Sequence, residues 1–389
     1  MKLRTIKGVN FSGKKVLLRA GFDVPLDKNG KILDDSRIKE SLATIRYLLK
    51  GGARVIILAH NGRPEGKYVK VLSMDETAKR LQKLLKIKVK KLDDCIGSRV
   101  KKQINKSKEK VIVLENLRFH LGEEKNDLNF AKKLASLGDI YVNDAFANAH
   151  RNHASMVAIT KFLPSYAGLL LEKEIKNISQ FISKKISPFV GMIGGAKISD
   201  KLGVIKTLSK KADFILLGGA LANTILKAQG IQVGKSLIEP KMAQQAKKLD
   251  LTENKIKIPV DVIVALEKSQ KAKTHDRPVG KIKSKELILD IGDDTVSLYK
   301  NIISHAKKIF WAGPMGMFEI KKFACGSCKL AKAIAYSKAE TLVGGGDTLD
   351  LIDQAGLRKK FTFVSTGGGA LLEFLEKGTL ASLKPLIIK

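Results

Sequence analysis

The sequence predicts an α/β protein built as two doubly wound parallel-sheet, Rossmann-like domains joined by a hinge helix. Three observations predict it. Short apolar segments alternate with amphipathic ones almost throughout the 389 residues, the pattern of parallel strands wrapped by helices. In the second half, the apolar segments end in glycine and run into helical stretches. A long helical segment at 169–185, followed by Pro188, separates two such runs, and a chain of this length makes about two domains.

Each element follows from its own residues. In the first half "KVLLRA" (15–20), "RVIILA" (54–59), "VIVLEN" (111–116) and "IYVND" (140–144) are apolar runs of strand length. "SRIKESLATIRYLLKGG" (36–52) has a helical pattern and closes on glycine, as helices commonly do. "AKRLQKLLKIKVKK" (78–91) reads as a lysine-faced helix. The second half offers "PFVGMIGG" (188–195), "FILLGG" (214–219), "KIFWAG" (308–313), "TLVGGG" (341–346) and "FTFVSTGGG" (361–369) as strands. Domains are expected at 1–171 and 188–374, with 172–187 as the connecting helix.

Composition narrows the function classes. Apolar residues make up 44%, enough for ordinary cores. "MKLRTIKGVNFSG" has no apolar core of signal-peptide length, and no segment approaches the roughly 18 apolar residues of a membrane span. A soluble cytoplasmic protein without membrane contact is the expectation. Three cysteines, Cys95, Cys325 and Cys328, do not make a disulfide framework. "CGSC" (325–328) lacks a second ligand pair at zinc spacing and is not expected to open a helix directly after a strand. No metal or redox role is assigned to it. The net charge is +34, from 72 basic and 38 acidic residues, which raises a nucleic-acid-binding alternative. Lysine is spread along the chain with no aromatic RNA-binding signature. A solvated basic surface is preferred, with nucleic acid bound only non-specifically.

The glycine-ended strands locate the chemistry, because ligands in open parallel sheets sit beyond the carboxyl ends of strands. "GGAK" (194–197), "GGALAN" (218–223), "GPMGMFE" (313–319) and "GGGDT" (344–348) all occupy such ends. Glycine lets backbone N–H groups approach an anion, and the following helix adds its dipole. Several such loops at one edge point to a nucleotide laid across it. Neither G-x-G-x-x-G nor a P-loop is present; "GIQVGKS" (230–236) is one residue short between its glycines. The cation is sought in "GGAKISDKLG" (194–203), where Lys197 and Lys201 are four apart and expected on one face of a helix's first turns. Asp347 is a natural magnesium ligand, since that ion takes one or two carboxylates plus phosphate oxygens and water.

Arginine marks the other half. Ten of the twelve arginines precede residue 152, although lysine is used freely everywhere. Forked guanidinium groups bind carboxylate and phosphate bidentately. Arg37 begins a helix; His60 and Arg63 follow the second strand, Arg118 the third and Arg151 the fourth. Together they make a receptor for a small polyanion. A nucleotide on one half and a phosphorylated acid on the other predict phosphoryl transfer, with closure to expel water.

The chain resembles the phosphoglycerate kinase family from about residue 4 to the C-terminus. The resemblance is carried by "DDSRI" (34–38), "AHNGRPEG" (59–66), "LENLRF" (114–119), "VNDAFANAHRNHAS" (142–155), "GGAKISDK" (194–201), "LANTILKA" (221–228), "VGKSL" (233–237), "GPMGMFE" (313–319), "GGGDT" (344–348) and "STGGGALLEFL" (365–375). It implies reversible transfer between 1,3-bisphosphoglycerate and ADP, giving 3-phosphoglycerate and ATP, with Mg2+. It also implies a monomer, a hinge, and a C-terminal segment (375–389) that returns to the N-terminal domain. By position, Gly21, Asp23, Arg37, His60, Asn61, Gly62, Arg63, Arg118 and Arg151 are implied as the phosphoglycerate site. Gly195, Lys197, Lys201, Gly219, Pro314, Glu319, Gly345, Gly346, Asp347 and Thr348 are implied as the nucleotide site, with Glu319 at the ribose. Arg37, Lys197 and Lys201 are implied to handle the transferring charge.

The sequence also departs from that pattern. Where the family reads R-V-D-F-N-V-P, this chain has "RAGFDVP" (19–25), so Gly21 replaces an aspartate and Asp23 an asparagine. Ala312 stands for an asparagine, "ANAHR" (147–151) carries Ala-Asn in place of Gly-Thr, and Asp293 stands for a proline. A catalytically weakened relative is the alternative these changes raise. A carboxylate beside an acidic substrate repels it, and one lost hydrogen bond costs about 0.5–1.5 kcal/mol. Changing Gly21→Asp and Asp23→Asn together is expected to lower KM for 3-phosphoglycerate in a steady-state assay. An unchanged or raised constant rejects that account.

Overall fold

Parallel strand pairing organises the chain, whose structure is a computed structural model describing residues 1–249 and 254–388. The chain divides into two units, Met1–Ser179 with Thr379–Lys389, and Gln180–Gly378. The first contains β1 (Lys15–Arg19), β2 (Arg54–Leu58), β3 (Val89–Lys91), β4 (Val111–Val113), β5 (Ile140–Asn143) and β6 (Ser165–Ala167). They form one sheet in the order β3-β4-β2-β1-β5-β6, every pair parallel. Successive side chains point to opposite faces. Val16 and Leu18 join one apolar cluster, while Leu17, Ile56 and Leu58 join another. Both faces are covered, which is why these strands read as unbroken apolar runs.

The end of the chain is tied into the same unit. Arg4 N–H donates to Leu386 O at 2.8 Å, and Ile388 N–H to Lys2 O at 3.0 Å. The long helix is Leu169–Ser183. Its first free N–H groups donate to Thr44 Oγ1 (3.0 Å) and Asp144 Oδ1 (2.9 Å), satisfying donors that a helix start leaves open.

The second unit holds β7 (Phe189–Ile193), β8 (Phe214–Leu217), β9 (Ile256–Lys257), β10 (Asp261–Ala265), β11 (Thr274–Pro278), β12 (Leu287–Ile291), β13 (Lys308–Ala312), β14 (Glu340–Gly344) and β15 (Phe363–Val364). Six make a parallel sheet, β15-β14-β13-β7-β8-β9. Trp311 on β13 is fully buried, and its Nε1–H donates to Gly313 O at 2.8 Å.

Two findings differ from the sequence-based expectation. The segment 78–91 is not one helix: Asp75–Leu85 is helical, Lys86 turns left-handed at φ 58°, and β3 follows. Residues 261–291 form a three-stranded antiparallel sheet, β11-β10-β12, that no apolar pattern announced. β11 reads Thr-His-Asp-Arg-Pro and is largely exposed, so hydrophobic periodicity had nothing to report. As expected, "CGSC" does not open a helix directly after a strand: the helix Cys325–Ala335 follows a 3-10 turn at Lys321–Phe323.

Trp311→Ala removes the largest core side chain of the second unit. It is expected to destabilise that unit by about 3–5 kcal/mol, read as faster amide hydrogen exchange in β7, β13 and β14. Exchange within about 1 kcal/mol of wild type would contradict this packing role.

Candidate active site

The first unit gathers cationic donors where β1, β2, β4 and β5 end. Arg19 closes β1 and is fully buried. Its Nε donates to Ser155 Oγ at 2.9 Å, its Nη1 to Ala20 O at 2.6 Å, and its Nη2 meets His60 Nδ1 at 2.9 Å. Ser155 in turn donates to Glu123 Oε1 at 2.6 Å. Arginine has only donors, so His60 Nδ1 accepts and the ring proton sits on Nε2. That Nε2 lies 3.6 Å from Asp23 Oδ2, beyond hydrogen-bond reach.

The neighbouring loops repeat the theme. Gly62 has φ +65°, and a Cβ there would meet Leu72 Cδ2 at 2.8 Å, so only glycine fits this turn. Asn116 Nδ2 donates to Asn61 O at 2.7 Å, and Arg118 Nη1 to Gly62 O at 2.6 Å. Among the described residues, the buried donors with no hydrogen-bond partner include His60 Nε2, Asn61 Nδ2, Arg118 Nη2 and Arg151 Nε. Leaving such a donor bare costs about 1–3 kcal/mol. An anion that accepts from them relieves that cost. Arg37, on the helix Ser36–Lys50, donates to Asp23 O at 2.5 Å. Arg63 is exposed and forms no hydrogen bond or ion pair with another described residue.

Asp23 holds a place in this cluster. Its Oδ1 accepts from Gly62 N–H at 2.9 Å, and its Oδ2 lies 3.8 Å from Arg37. Burial alone would raise its carboxyl; His60, the Gly62 N–H and Arg37 overcome that and hold it well below the usual carboxylate range. It therefore competes for the donors that would serve a bound acid. Gly21 leaves room: a Cβ there would have Ala145 Cα as nearest neighbour, at 3.9 Å.

The second unit encloses a cavity of about 170 Å³ at its strand ends. Gly195, Gly219, Pro314, Glu319 and Asp347 line it, together with Pro259, Leu287, Leu289, Asp290, Met317 and Phe318. The apolar members suit a flat ring, and the glycines suit phosphate. Gly219 has φ +66°, and a Cβ there would lie 2.7 Å from Gly195 N, so the two loops touch backbone to backbone.

Lys197 and Lys201 do not share a helical face. The helix Leu202–Ser209 starts one residue later, and Lys201 sits at its N-terminal boundary. Glu239 anchors the loop between the lysines: it accepts from the N–H groups of Ile198 and Ser199 and from Ser199 Oγ. No sequence signal marked Glu239. Lys201 Nζ donates to Gly194 O. Burial lowers its ammonium pKa, with Asp347 and Asp200 opposing. Lys197 is exposed. Gly345 (φ +104°) precedes the helix Gly346–Gln354, with Asp347 exposed in its first turn. Thr348 is fully buried, and its Oγ1 accepts from Gly313 N–H at 2.7 Å, tying two loops together. Pro259, Leu287, Leu289 and Asp290 escaped sequence reading because they come with the unannounced antiparallel sheet. Asp290 is pushed by burial up to about 7, against the Gly326 and Ile291 N–H groups.

A glycine-looped cavity and a cluster of buried guanidinium donors, each at the carboxyl edge of a doubly wound sheet, define a phosphotransferase of the two-unit α/β class. Comparison with known proteins makes this specific. Residues 6–378 match the family model described as phosphoglycerate kinase. A phosphoglycerate kinase from Pelotomaculum thermopropionicum is 43% identical, with 100% of each chain covered. One from Aquifex aeolicus is 46% identical over 96% of each. The solved phosphoglycerate kinases of Coxiella burnetii and Pyrococcus horikoshii superpose with TM-scores of 0.83 and 0.87 at 38% and 35% identity, each over 99% of this chain and 98% of theirs. The chain belongs to the phosphoglycerate kinase family.

Two buried histidines set a pH dependence. Burial first, then the facing arginines, lower His60 and His153 from their ordinary 6.5 to about 3, the Asp23 carboxylate opposing this at His60. Both take up a proton near 6.5 when the chain unfolds, but only near 3 when folded. Their contribution to stability is complete above 6.5 and is lost as pH falls from 6.5 towards 3. Stability of the first unit is expected to fall across that window, and His153→Asn to flatten the slope. Equal slopes in urea titrations at several pH values would contradict this.

Proposed function

We propose that this chain transfers a phosphoryl group reversibly from 1,3-bisphosphoglycerate to ADP, giving 3-phosphoglycerate and ATP. The observation that carries the reading is the set of bare buried donors in the first unit, in a chain of this family. His60 Nε2–H, Asn61 Nδ2, Arg118 Nη2 and Arg151 Nε donate to a phosphoglycerate's oxygens. The glycine loops and cavity of the second unit take the nucleotide, with Glu319 at the ribose and Gly345 and Gly346 beside the phosphates.

In the direction of ATP use, the carboxylate oxygen of 3-phosphoglycerate attacks the γ-phosphorus as ADP leaves. The attacking group is already ionised, so no general base is required. Positioning and charge neutralisation carry the catalysis. Arg37 steadies the carboxylate and the transferring group, while Lys201 and Lys197 neutralise the phosphate side. Asp347 is a fitting magnesium ligand: it is an exposed carboxylate at the cavity wall, and magnesium needs little more from protein when phosphates supply the other oxygens. Bound there, magnesium neutralises phosphate charge. Direct transfer requires the two ligands to come within bonding reach, so the hinge assigned to 172–187 and the substrate domains assigned to 1–171 with 375–389 and to 188–374 are part of this reading. So are a monomeric state and a cytoplasmic setting.

A coupled assay following ATP-dependent consumption of 3-phosphoglycerate tests it. Wild type is expected to turn over, chelation of magnesium to stop it, and Lys201→Ala or Arg37→Ala to lower kcat by about 10²–10³. Full activity in Lys201→Ala would overturn the assigned role, and no turnover by wild type would overturn the function.

A further inference from the structure

The first turn of the helix Cys325–Ala335 carries two thiols that phosphoryl transfer leaves unused. Cys325 is exposed, Cys328 is half-buried, and both are free. Residues three apart on an α-helix have Cα atoms about 5 Å apart, inside the roughly 4.4–6.8 Å that a disulfide spans. Between them lie Gly326 and Ser327, both buried. Gly326 N–H donates to Asp290 Oδ2 at 2.8 Å, and Ser327 Oγ accepts from Met315 N–H at 2.8 Å. Asp290 and Met315 line the cavity. Packing there is tight: a Cβ at Gly316 would lie 2.2 Å from Asp290 Oδ1, and one at Gly326 2.7 Å away. The turn cannot move without moving the cavity wall.

We propose that Cys325 and Cys328 form a reversible redox-modification site, and that closing them into a disulfide weakens nucleotide binding in the adjoining cavity. The inference rests on the assignment of that cavity to the nucleotide. The oxidant is a small-molecule disulfide. The Cys325 thiolate attacks one of its sulfurs; a mixed disulfide forms, the old S–S bond breaks, and the released thiolate takes up a proton. The Cys328 thiolate then attacks the Cys325 sulfur, and the second small thiol leaves. Two electrons pass from the protein dithiol to the small disulfide, which ends as two thiols. Burial raises the Cys328 thiol, so the exposed Cys325 attacks first and Cys328 resolves. Cβ atoms three apart on a helix lie about 5–6 Å apart, beyond the roughly 3.5–4.5 Å of a disulfide, so joining the sulfurs tightens the turn and draws Ser327 Oγ off Met315 N–H. Cys95 is buried, and its thiol is pushed well up by that burial, so it stays out of the exchange.

The test uses the full chain, reduced or incubated with oxidised glutathione, with peptide mass mapping and ADP titration calorimetry. A Cys325–Cys328 bond is expected. The ADP dissociation constant is expected to rise roughly tenfold, the size of one lost hydrogen bond, and to return with dithiothreitol. Cys325→Ser and Cys328→Ser should bind ADP like reduced wild type under both conditions; Cys95→Ser should respond like wild type. A mixed disulfide that stops at Cys325, no 325–328 bond, or equal ADP affinity in both redox states overturns the inference. Reduced protein that fails to bind ADP sinks the cavity assignment, and the control over binding with it, while the mapping still decides whether the pair closes.

Discussion

Arg19 is a cation buried completely inside the first unit, and the way its donors are satisfied organises the ligand-facing edge of the sheet. A buried charge without partners costs several kcal/mol. Here Ser155, the Ala20 carbonyl and His60 take its N–H groups, and Glu123 supplies a carboxylate through Ser155. Because the guanidinium only donates, it dictates the His60 tautomer and turns Nε2–H outward as a donor. With the surrounding arginines it also keeps His60 and His153 neutral. Positive charge at this edge therefore rests on guanidinium groups, which do not titrate in the working range. An acid substrate meets the same charge at every physiological pH.

The second unit presents donors of another kind. Its donors are backbone N–H groups exposed by glycine, supplemented by the ammonium of Lys201. The close approach of Gly219 to Gly195 allows this: side chains there would wedge the loops apart. Glu239 holds the Lys197–Lys201 loop, and Thr348 joins the Gly313 and Gly345 loops. The antiparallel sheet supplies the apolar wall opposite the glycines.

Asp23 shows how a local change alters a site without dismantling it. Its carboxylate occupies the Gly62 N–H and stands near His60 and Arg37, so a bound acid displaces or repels it. The basic surface is a separate matter. Most lysines are exposed and scattered along both units, whereas the bare donors of His60, Asn61, Arg118 and Arg151 are buried at one edge.

Much of the architecture was readable from residues alone. Strands buried on both faces are continuous apolar runs, and the helices between them carry period 3.6, so alternation revealed the parallel sheets. The charged residues gathered at the strand ends were readable too, because they directly follow the apolar runs. Three things were not. β11 is polar and exposed, and its pairing with β10 is a long-range choice that no local pattern encodes. The helix after Lys201 begins later than its spacing implied, and the loop before it is anchored by Glu239, forty residues beyond Ser199. His60's proton sits where it does only because Arg19 and Ser155, 136 residues apart in sequence, meet in the core. Local periodicity and side-chain chemistry thus determined the elements and the kind of ligand. Contacts between distant segments, which a linear pattern does not record, decided which donors were left bare to bind it.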